Sequence, residues 1–266
     1  MKYLVFLISL VLPTLILAQD EDGCFDWLPK CTMYGNPDFS KCSTDSIDHL
    51  MGALFDGKLK QFGVEDLKHL TIPKIAFNEG NPKSPVVLNA ELTNAVITDM
   101  ESIKILKNDV HNETLQFDTD ILIPKMRIDG NYKATGRILI VQLNGGGDSW
   151  FEIGNIKCHL KCDAGLKTKK GVDYYDVKDC SIEYTFDKLK FYLNNLFNGR
   201  KDVEEQTNKY LNENSREVAE IIKPVIRETI EKVLTHYLRL CMNKIPSKCF
   251  VVDLKSVDYY KSIKKQ

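Results

Sequence analysis

The chain has 266 residues, with 36 Lys and Arg against 37 Asp and Glu, and a formal net charge of −1. It is 43% hydrophobic and 9% aromatic, ordinary globular proportions that exclude a disordered chain, a collagen and a coiled-coil rod. Because the net charge is close to zero, no strong overall field favours nucleic acid or an anionic membrane as a partner.

The first 18 residues have the pattern of a secretory signal peptide. Lys2 precedes an apolar run over residues 4–12, and Ala18 offers a small residue for cleavage. A membrane anchor is the alternative, but a spanning helix needs ~20 apolar residues and Pro13 interrupts this run. We therefore expect cleavage after Ala18 and a secreted, extracellular monomer without stable membrane insertion. Asn112 begins a glycosylation sequon, and such sequons are used in surface loops.

Export to an oxidising compartment makes disulfides the expected state of the cysteines. Cys180 is expected to pair across neighbouring strands with Cys158 or Cys162, and Cys241 with Cys249 after a fold-back at Pro246. Zinc is the alternative for residues 158–162. On a strand, however, Cys158 and Cys162 lie ~13 Å apart and His159 points to the opposite face, so we expect no metal site.

The predicted elements change character along the chain. A short helix comes first, since residues 47–55 place apolar side chains on one helical face. From about residue 72 to 193 the hydrophobic period is two, with a clear half-buried strand at 125–137 and Gly-rich turns at 145–147 and 165–171. No helical pattern separates these strands. The sequence therefore predicts a long antiparallel meander.

The last third of the chain has a helical period. An apolar stripe runs from about Asp202 to Cys241, which would make a helix ~60 Å long. Pro224 removes one helical hydrogen bond and should kink it. Two separate helices are the alternative, but no Gly or loop cluster flanks Pro224, so we expect one kinked helix.

The fold class that follows is α+β, with a long kinked C-terminal helix wrapped by a long, strongly curved antiparallel sheet. Such a sheet encloses an elongated hydrophobic tunnel unless side chains fill it. A filled core is the alternative that the sequence leaves open. The predicted lining combines one strand face with one helix stripe: Met126, Ile128, Tyr132, Ala134, Ile138, Ile222, Val225, Ile226 and Val233.

Several motifs, in the same order, resemble the insect takeout and haemolymph juvenile-hormone-binding protein family. They are residues 31–42 with Asn-Pro-Asp-Phe between two cysteines, residues 59–75, Asp-Gly-Asn-Tyr at 129–132, residues 136–141, Asn-Leu-Phe-Asn-Gly at 195–199, and Leu-Asn-Glu-Asn at 211–214. Each motif alone is weak. Together, their spacing and order agree with the family from about residue 24 to 250.

The resemblance implies a tubular lipid-binding architecture over residues 19–254, followed by a Lys-rich tail at 255–266. It implies a carrier of juvenile hormone, a terpenoid or a fatty-acid-like ligand, acting in hormone transport, chemosensation, feeding or circadian output. It also implies that Cys31 pairs with Cys42, and the turn-forming residues at 35–37 allow this. The extra cysteines depart from the family pattern and leave the ligand subgroup open.

Two other functions are weaker interpretations. The chain has no H-E-x-x-H, P-loop or G-x-S-x-G motif, and its five His show no catalytic spacing, so we expect no enzyme, no catalytic residue and no cofactor. A secreted signalling protein with a filled core and a protein partner is the alternative to a carrier. The sequence names neither the ligand nor a receptor.

Overall fold

The structure, a computed structural model, describes residues 23–79 and 86–263. The predicted signal peptide lies outside the described residues. The helices are α1 (Phe39–Phe55), α2 (Lys201–Glu213), α3 (Ser215–Met242) and α4 (Val257–Ile263), with short 3-10 turns at Lys60–Phe62 and Ser247–Cys249. The strands are β1 (Leu70–Glu79), β2 (Val86–Thr98), β3 (Lys104–Val110), β4 (Phe117–Ile138), β5 (Val141–Cys162), β6 (Leu166–Lys169), β7 (Val172–Tyr175), β8 (Cys180–Thr185) and β9 (Lys188–Leu193).

Seven of these strands form one antiparallel sheet with the order β1-β2-β4-β5-β8. Both β2 and β3 pair with β4, and both β8 and β9 pair with β5, while β6 and β7 form a separate hairpin. Two central strands of 22 residues thus each support two shorter neighbours on one edge. This curved sheet with its packed helices is the predicted α+β fold class.

The strand β4 extends the strand predicted at 125–137 back across Pro124 to Phe117. The β4–β5 pairing runs from Phe117 to Ile138 and is interrupted only where Pro124 faces Asn155. Proline has no N–H to donate, and Asn155 has a positive φ of 54°. The side chains that pack on the cores change here from odd positions, such as Phe117, to even positions, such as Tyr132, so one continuous alternation does not describe the whole strand.

Two helices replace the single kinked helix expected over residues 202–241. The break falls at Asn214, ten residues before Pro224, which lies within α3. The Asn214 N–H and its side-chain amide both donate to the carbonyl of Tyr210, at 3.1 and 2.8 Å, and the Val218 N–H donates to the carbonyl of Asn214 at 3.1 Å, so helical hydrogen bonds continue across the break. α3 alone, at ~1.5 Å per residue, is roughly 42 Å long.

Three disulfides lie within the described residues, and they fit an oxidising compartment. Cys31 joins Cys42, as the resemblance implied, and Cys162 joins Cys180 because the β5–β8 register puts them directly opposite. The expected Cys241–Cys249 bridge is wrong, since Cys249 joins Cys24 and Cys241 is a free, buried thiol. Backbone hydrogen bonds of Cys31 to residues 250 and 252 hold this segment against the N-terminal arm.

The C-terminal segment is more ordered than the sequence predicted. The segment expected to be a Lys-rich tail contains α4, and its Tyr260 side chain is only 2% exposed. The hydroxyl of Tyr260 lies 3.0 Å from that of Tyr34 in the N-terminal arm. Chain beyond residue 254 therefore contributes to the packed structure.

Candidate functional site

Two separate clusters of buried apolar side chains occupy opposite ends of α3. The first core lies around the disulfides and the C-terminal end of α3, and the second core lies around the α2–α3 junction and the β4–β5 turn. The first core includes Cys24, Phe25, Leu50, Leu115, Leu160, Ile182, Cys241, Ile245 and Tyr260. The second core comprises Leu88, Tyr132, Ala134, Ile138, Leu143, Phe191, Leu193, Leu196, Leu211 and Val218.

Between the two cores lies a stretch of apolar side chains that are only half-buried. We call Met126, Ile128, Ile222, Ile226 and Val233 the middle segment. None of them belongs to either core or to the residues packed against it. On α3 they fall between Val218 of the second core and Cys241 of the first, and on β4 they fall between Phe117 and Tyr132. These apolar side chains, between the two cores along α3 and β4, thus keep part of their surface uncovered by protein.

The strand members of the middle segment point away from an outer polar face. Arg127, between Met126 and Ile128, pairs on that outer face with Asp129 and Glu152. Its guanidinium also lies 5.2 Å from the ring centre of Trp150. Because neighbouring strand residues alternate between faces, these ion pairs fix the direction of the two apolar side chains.

Three of the predicted lining residues, Tyr132, Ala134 and Ile138, lie in the second core, where they are 5 to 7% exposed. The hydroxyl of Tyr132 donates to the carbonyl of Asn194 at 2.9 Å, and burial raises the pKa of this phenol far above its usual range. This hydroxyl is therefore already committed to the protein backbone. The Val225 side chain is outside the described part of the structure, although its backbone lies in α3.

The predicted Gly-rich turn at 145–147 lies instead inside β5, and its glycines permit a close crossing of chain segments. A side chain on Gly145 would come within 2.5 Å of the carbonyl oxygen of Asn195, and one on Gly147 within 2.8 Å of that of Asn194. The Asn195 amide also donates to the Gly146 carbonyl. The motif at 195–199 therefore closes the second core by lying directly on β5.

A buried carboxylate holds the same motif to α2. Glu204 is 0% exposed, and its oxygens accept hydrogen bonds from the Tyr192 hydroxyl, the Lys201 ammonium and the Leu196 N–H. Burial alone would raise the pKa of Glu204, but these three donors together lower it below its usual value. The ionised Glu204 side chain thus holds the motif at 195–199 and α2 together beside the second core.

The free edge of β9 is covered by two asparagines one turn apart on α2. Asn208 makes hydrogen bonds with both backbone groups of Leu193, and Asn212 makes the same pair with Phe191. These contacts satisfy backbone N–H and C=O groups of β9 that would pair with a neighbouring strand inside a sheet. Asn212 belongs to the motif at 211–214, whereas no sequence motif indicates Asn208, although both are polar residues on a helix face that also carries Leu211.

At the border of the middle segment with the first core, two half-buried polar groups face each other. Cys158 on β5 and Tyr184 on β8 are direct cross-strand partners. Burial raises the pKa of the Cys158 thiol to about 11 and that of Tyr184 to about 12, so both are neutral at physiological pH. The zinc hypothesis fails here, because Cys162 is bonded to Cys180 and His159 contacts Asp120 on the opposite face.

The haemolymph juvenile hormone binding protein family matches residues 7–251 of the chain. The chain belongs to this family. The curved-sheet fold agrees with a solved member of similar structure, Takeout 1 of Epiphyas postvittana, with a TM-score of 0.74 and 23% identity over 84% of this chain and 99% of that one. The haemolymph juvenile hormone binding protein family is one of binding proteins rather than enzymes.

Two similar curated relatives share another name. The circadian clock-controlled protein daywake of Drosophila yakuba is 27% identical over 162 residues, 58% of this chain and 59% of that protein. Daywake of Drosophila melanogaster is 20% identical over 198 residues, 72% of this chain and 76% of that protein. Within the described residues, no helix combines the length and apolar character needed to cross a membrane.

Proposed function

We propose that this protein is a secreted carrier that holds one small, elongated hydrophobic ligand against the middle segment. The observation that carries the proposal is the contrast in burial along α3 and β4. Side chains at both ends are packed, whereas Met126, Ile128, Ile222, Ile226 and Val233 remain half-buried and apolar. An apolar surface that faces the interior and is left unfilled favours an apolar occupant.

The separation of the two cores limits the shape of this ligand. Ile222 and Val233 are eleven residues apart on α3, which corresponds to roughly 16 Å along the helix axis. A long, thin molecule such as a terpenoid or a fatty-acid-like chain fits between them, and juvenile hormone belongs to this chemical class. The packed cores limit the length of the ligand at both ends.

Burial of apolar surface can supply the affinity. At ~25 cal/mol per Å2, covering a few hundred Å2 of ligand contributes several kcal/mol, enough for roughly micromolar binding after the costs of association. The Tyr132 hydroxyl, the polar side-chain group of the predicted lining, donates to the carbonyl of Asn194. We therefore propose that apolar contact, rather than a hydrogen bond from Tyr132, supplies most of the binding energy.

The physiological role follows from the ligand and from the relatives. Two relatives are named as circadian clock-controlled proteins, so circadian output is the role we favour among hormone transport, chemosensation and feeding. Secretion is supported by the three disulfides and by the signal-peptide pattern of residues 1–18. Asn112 lies in an exposed turn, where a glycan could be attached.

The experiment compares two tryptophan substitutions of the same chemistry. Ile226→Trp places an indole in the middle segment, while Ile140→Trp places one on the β4–β5 turn, where the native side chain is 78% exposed. We expect Ile226→Trp to abolish binding of a fluorescent fatty-acid probe and Ile140→Trp to leave it unchanged, with both variants giving the circular dichroism of the parent.

Mass spectrometry of the organic extract from naturally secreted protein identifies the ligand. Ile128→Trp repeats the test from the sheet side if Ile226→Trp does not fold. Equal probe binding by the parent and a folded Ile226→Trp or Ile128→Trp would show that the ligand lies elsewhere. No probe binding by the parent, together with an empty extract, would favour the signalling protein with a filled core.

A further inference from the structure

A second candidate site lies outside the apolar interior, where the β6–β7 hairpin meets the last turns of α3. It is an open cleft of about 380 Å3 lined by Lys169, His236, Arg239, Leu240, Asn243 and Lys244. We call it the basic cleft. Lys169 reaches it from the hairpin, three residues come from α3, and Asn243 and Lys244 follow the end of that helix, so the cationic groups converge from two parts of the chain.

Several lysines elsewhere in the described residues pair with carboxylates, as in Lys125 with Asp99 and Lys232 with Glu228. No carboxylate lines this cleft. The nearest ionic contact described for its residues is that of Arg239 with Asp179, at 3.8 Å, and Asp179 is itself 93% exposed.

Apart from the contact of Arg239 with Asp179, the described contacts of these cations are with neutral groups. The Lys169 ammonium lies 3.2 Å from the amide oxygen of Asn243 and 5.7 Å from the ring centre of Tyr174, both of which are neutral. The Nε of Arg239 donates to the carbonyl of Val177 at 3.0 Å, which orients the guanidinium without neutralising it. Lys244 is exposed beside them.

This concentration of positive charge is local. The whole chain carries a net charge of −1, yet residues 233–252 and 164–172 contain no Asp or Glu. Three permanent cations around one concave cleft favour a compact anion that carries more than one negative charge and several acceptor oxygens. A flat surface would contact the rim of such a cleft, whereas a tetrahedral group can enter it.

We propose that the basic cleft binds a phosphate-monoester dianion, carried either by a free metabolite or by the headgroup of a lipid. The proposal is independent of the hydrophobic carrier function, because none of the cleft residues belongs to the middle segment. The cleft is exposed, so binding should weaken as salt is added.

The test titrates the full secreted chain with glycerol 3-phosphate by calorimetry, and separately with phosphatidylcholine vesicles with and without phosphatidic acid. Lys244→Ala and Lys169→Ala remove cleft charges, while Lys232→Ala removes an exposed lysine of α3 that pairs with Glu228. We expect either cleft variant to weaken binding by about tenfold, near the cost of one charge-assisted hydrogen bond, and the control to match the parent.

The two titrations distinguish a free metabolite from a lipid headgroup as the source of the phosphate group. Binding of glycerol 3-phosphate that is lost in the cleft variants supports a free metabolite, and binding confined to phosphatidic acid vesicles with the same loss supports a lipid. Three results would overturn the proposal: no saturable binding to either probe, equal binding by the cleft variants and the control, or retention on a sulfated polysaccharide without phosphate binding. The fatty-acid probe should bind equally to the parent and both cleft variants.

Discussion

The side chain of Asn208 pairs with both backbone groups of Leu193, as a neighbouring strand would. Its Nδ2 donates to the Leu193 carbonyl at 3.0 Å, and the Leu193 N–H donates to its Oδ1 at 2.9 Å. Asn212 repeats the arrangement with Phe191 one turn later. A helix thus completes the hydrogen bonding of a sheet edge, and it does so at the end of the molecule that has no disulfide among the described residues.

Removing this contact should destabilise the protein strongly. Asn208→Ala leaves two buried backbone groups of Leu193 without partners, at a cost of about 2 to 4 kcal/mol in the free energy of unfolding. Asn89→Ala, at an exposed position of β2, is the matched control. Urea denaturation measures the difference, and amide hydrogen exchange at Leu193 should become faster. A difference below about 0.5 kcal/mol from the control would contradict this role.

The buried carboxylate of Glu204 should make stability depend on pH. Its pKa in the folded protein is below the ordinary value of 4.5, so the unfolded chain binds its proton first as the pH falls. The ionised group therefore contributes stability above pH 4.5 that is lost as the pH falls through the folded pKa.

Glu204→Gln tests this sign directly. We expect about 2 kcal/mol of destabilisation at pH 7, shrinking towards zero in acid, because the parent loses its own charge there. Urea denaturation between neutral and acidic pH measures the difference, and Glu205→Gln, exposed on the same helix, serves as the control. A difference that stays constant with pH would show that the charge of Glu204 does not contribute.

The thiol of Cys158 offers a native reporter of ligand binding. It is half-buried at the border of the middle segment, whereas Cys241 is buried in the first core, and burial raises their pKa values to about 11 and about 12. Alkylation requires the thiolate, so its rate at Cys158 should rise with pH up to about 11.

A bound ligand should protect this thiol. At a probe concentration about tenfold above its Kd, we expect the alkylation rate of Cys158 to fall about tenfold, since only the free protein reacts. Peptide mass spectrometry measures the rate, and Cys158→Ser should remove the reacting peptide. Labelling of Cys158 at the same rate with and without the probe would place the ligand away from this thiol.

Ala134→Trp distinguishes the packed second core from the middle segment. Ala134 is 5% exposed and lies between Ala90 on β2 and Gly145 on β5, beneath the crossing motif at 195–199. An indole there overpacks the core, and we expect about 3 kcal/mol of destabilisation or more, seen as a lower Tm. Thr135→Trp, on the exposed face, is the control. If Ala134→Trp keeps the stability of the parent but loses probe binding, Ala134 lines the ligand site.

Local patterns in the sequence predicted the class of many elements but not which elements join. The alternation at 125–137 correctly indicated a half-buried strand. Its continuation through Pro124 depended on the pairing of Ile123 and Lys125 with residues of β5 about thirty positions away in the chain, and no local period carries that information. In the same way, the break between α2 and α3 falls at Asn214 and not at Pro224, where the missing N–H of proline predicts a kink.

The candidate site was predictable in its chemistry and only partly in its position. Met126, Ile128, Ile222 and Ile226 carry the apolar pattern of the predicted lining and lie in the middle segment. Tyr132 and its neighbours carry the same pattern but are packed. The difference arises because the motif at 195–199 lies on Gly145 and Gly147 and fills that end, a tertiary contact that periodicity does not report.

The Cys24–Cys249 bridge spans 225 residues, whereas the Cys31–Cys42 bridge spans only 11. Cys31 can therefore be oxidised with its partner while most of the chain is still being synthesised. Cys24 must wait as a thiol until almost the entire polypeptide has entered the oxidising compartment. Its pairing thus reports completed biosynthesis, and any premature partner taken by Cys24 would have to be exchanged before the N-terminal arm could reach its final position.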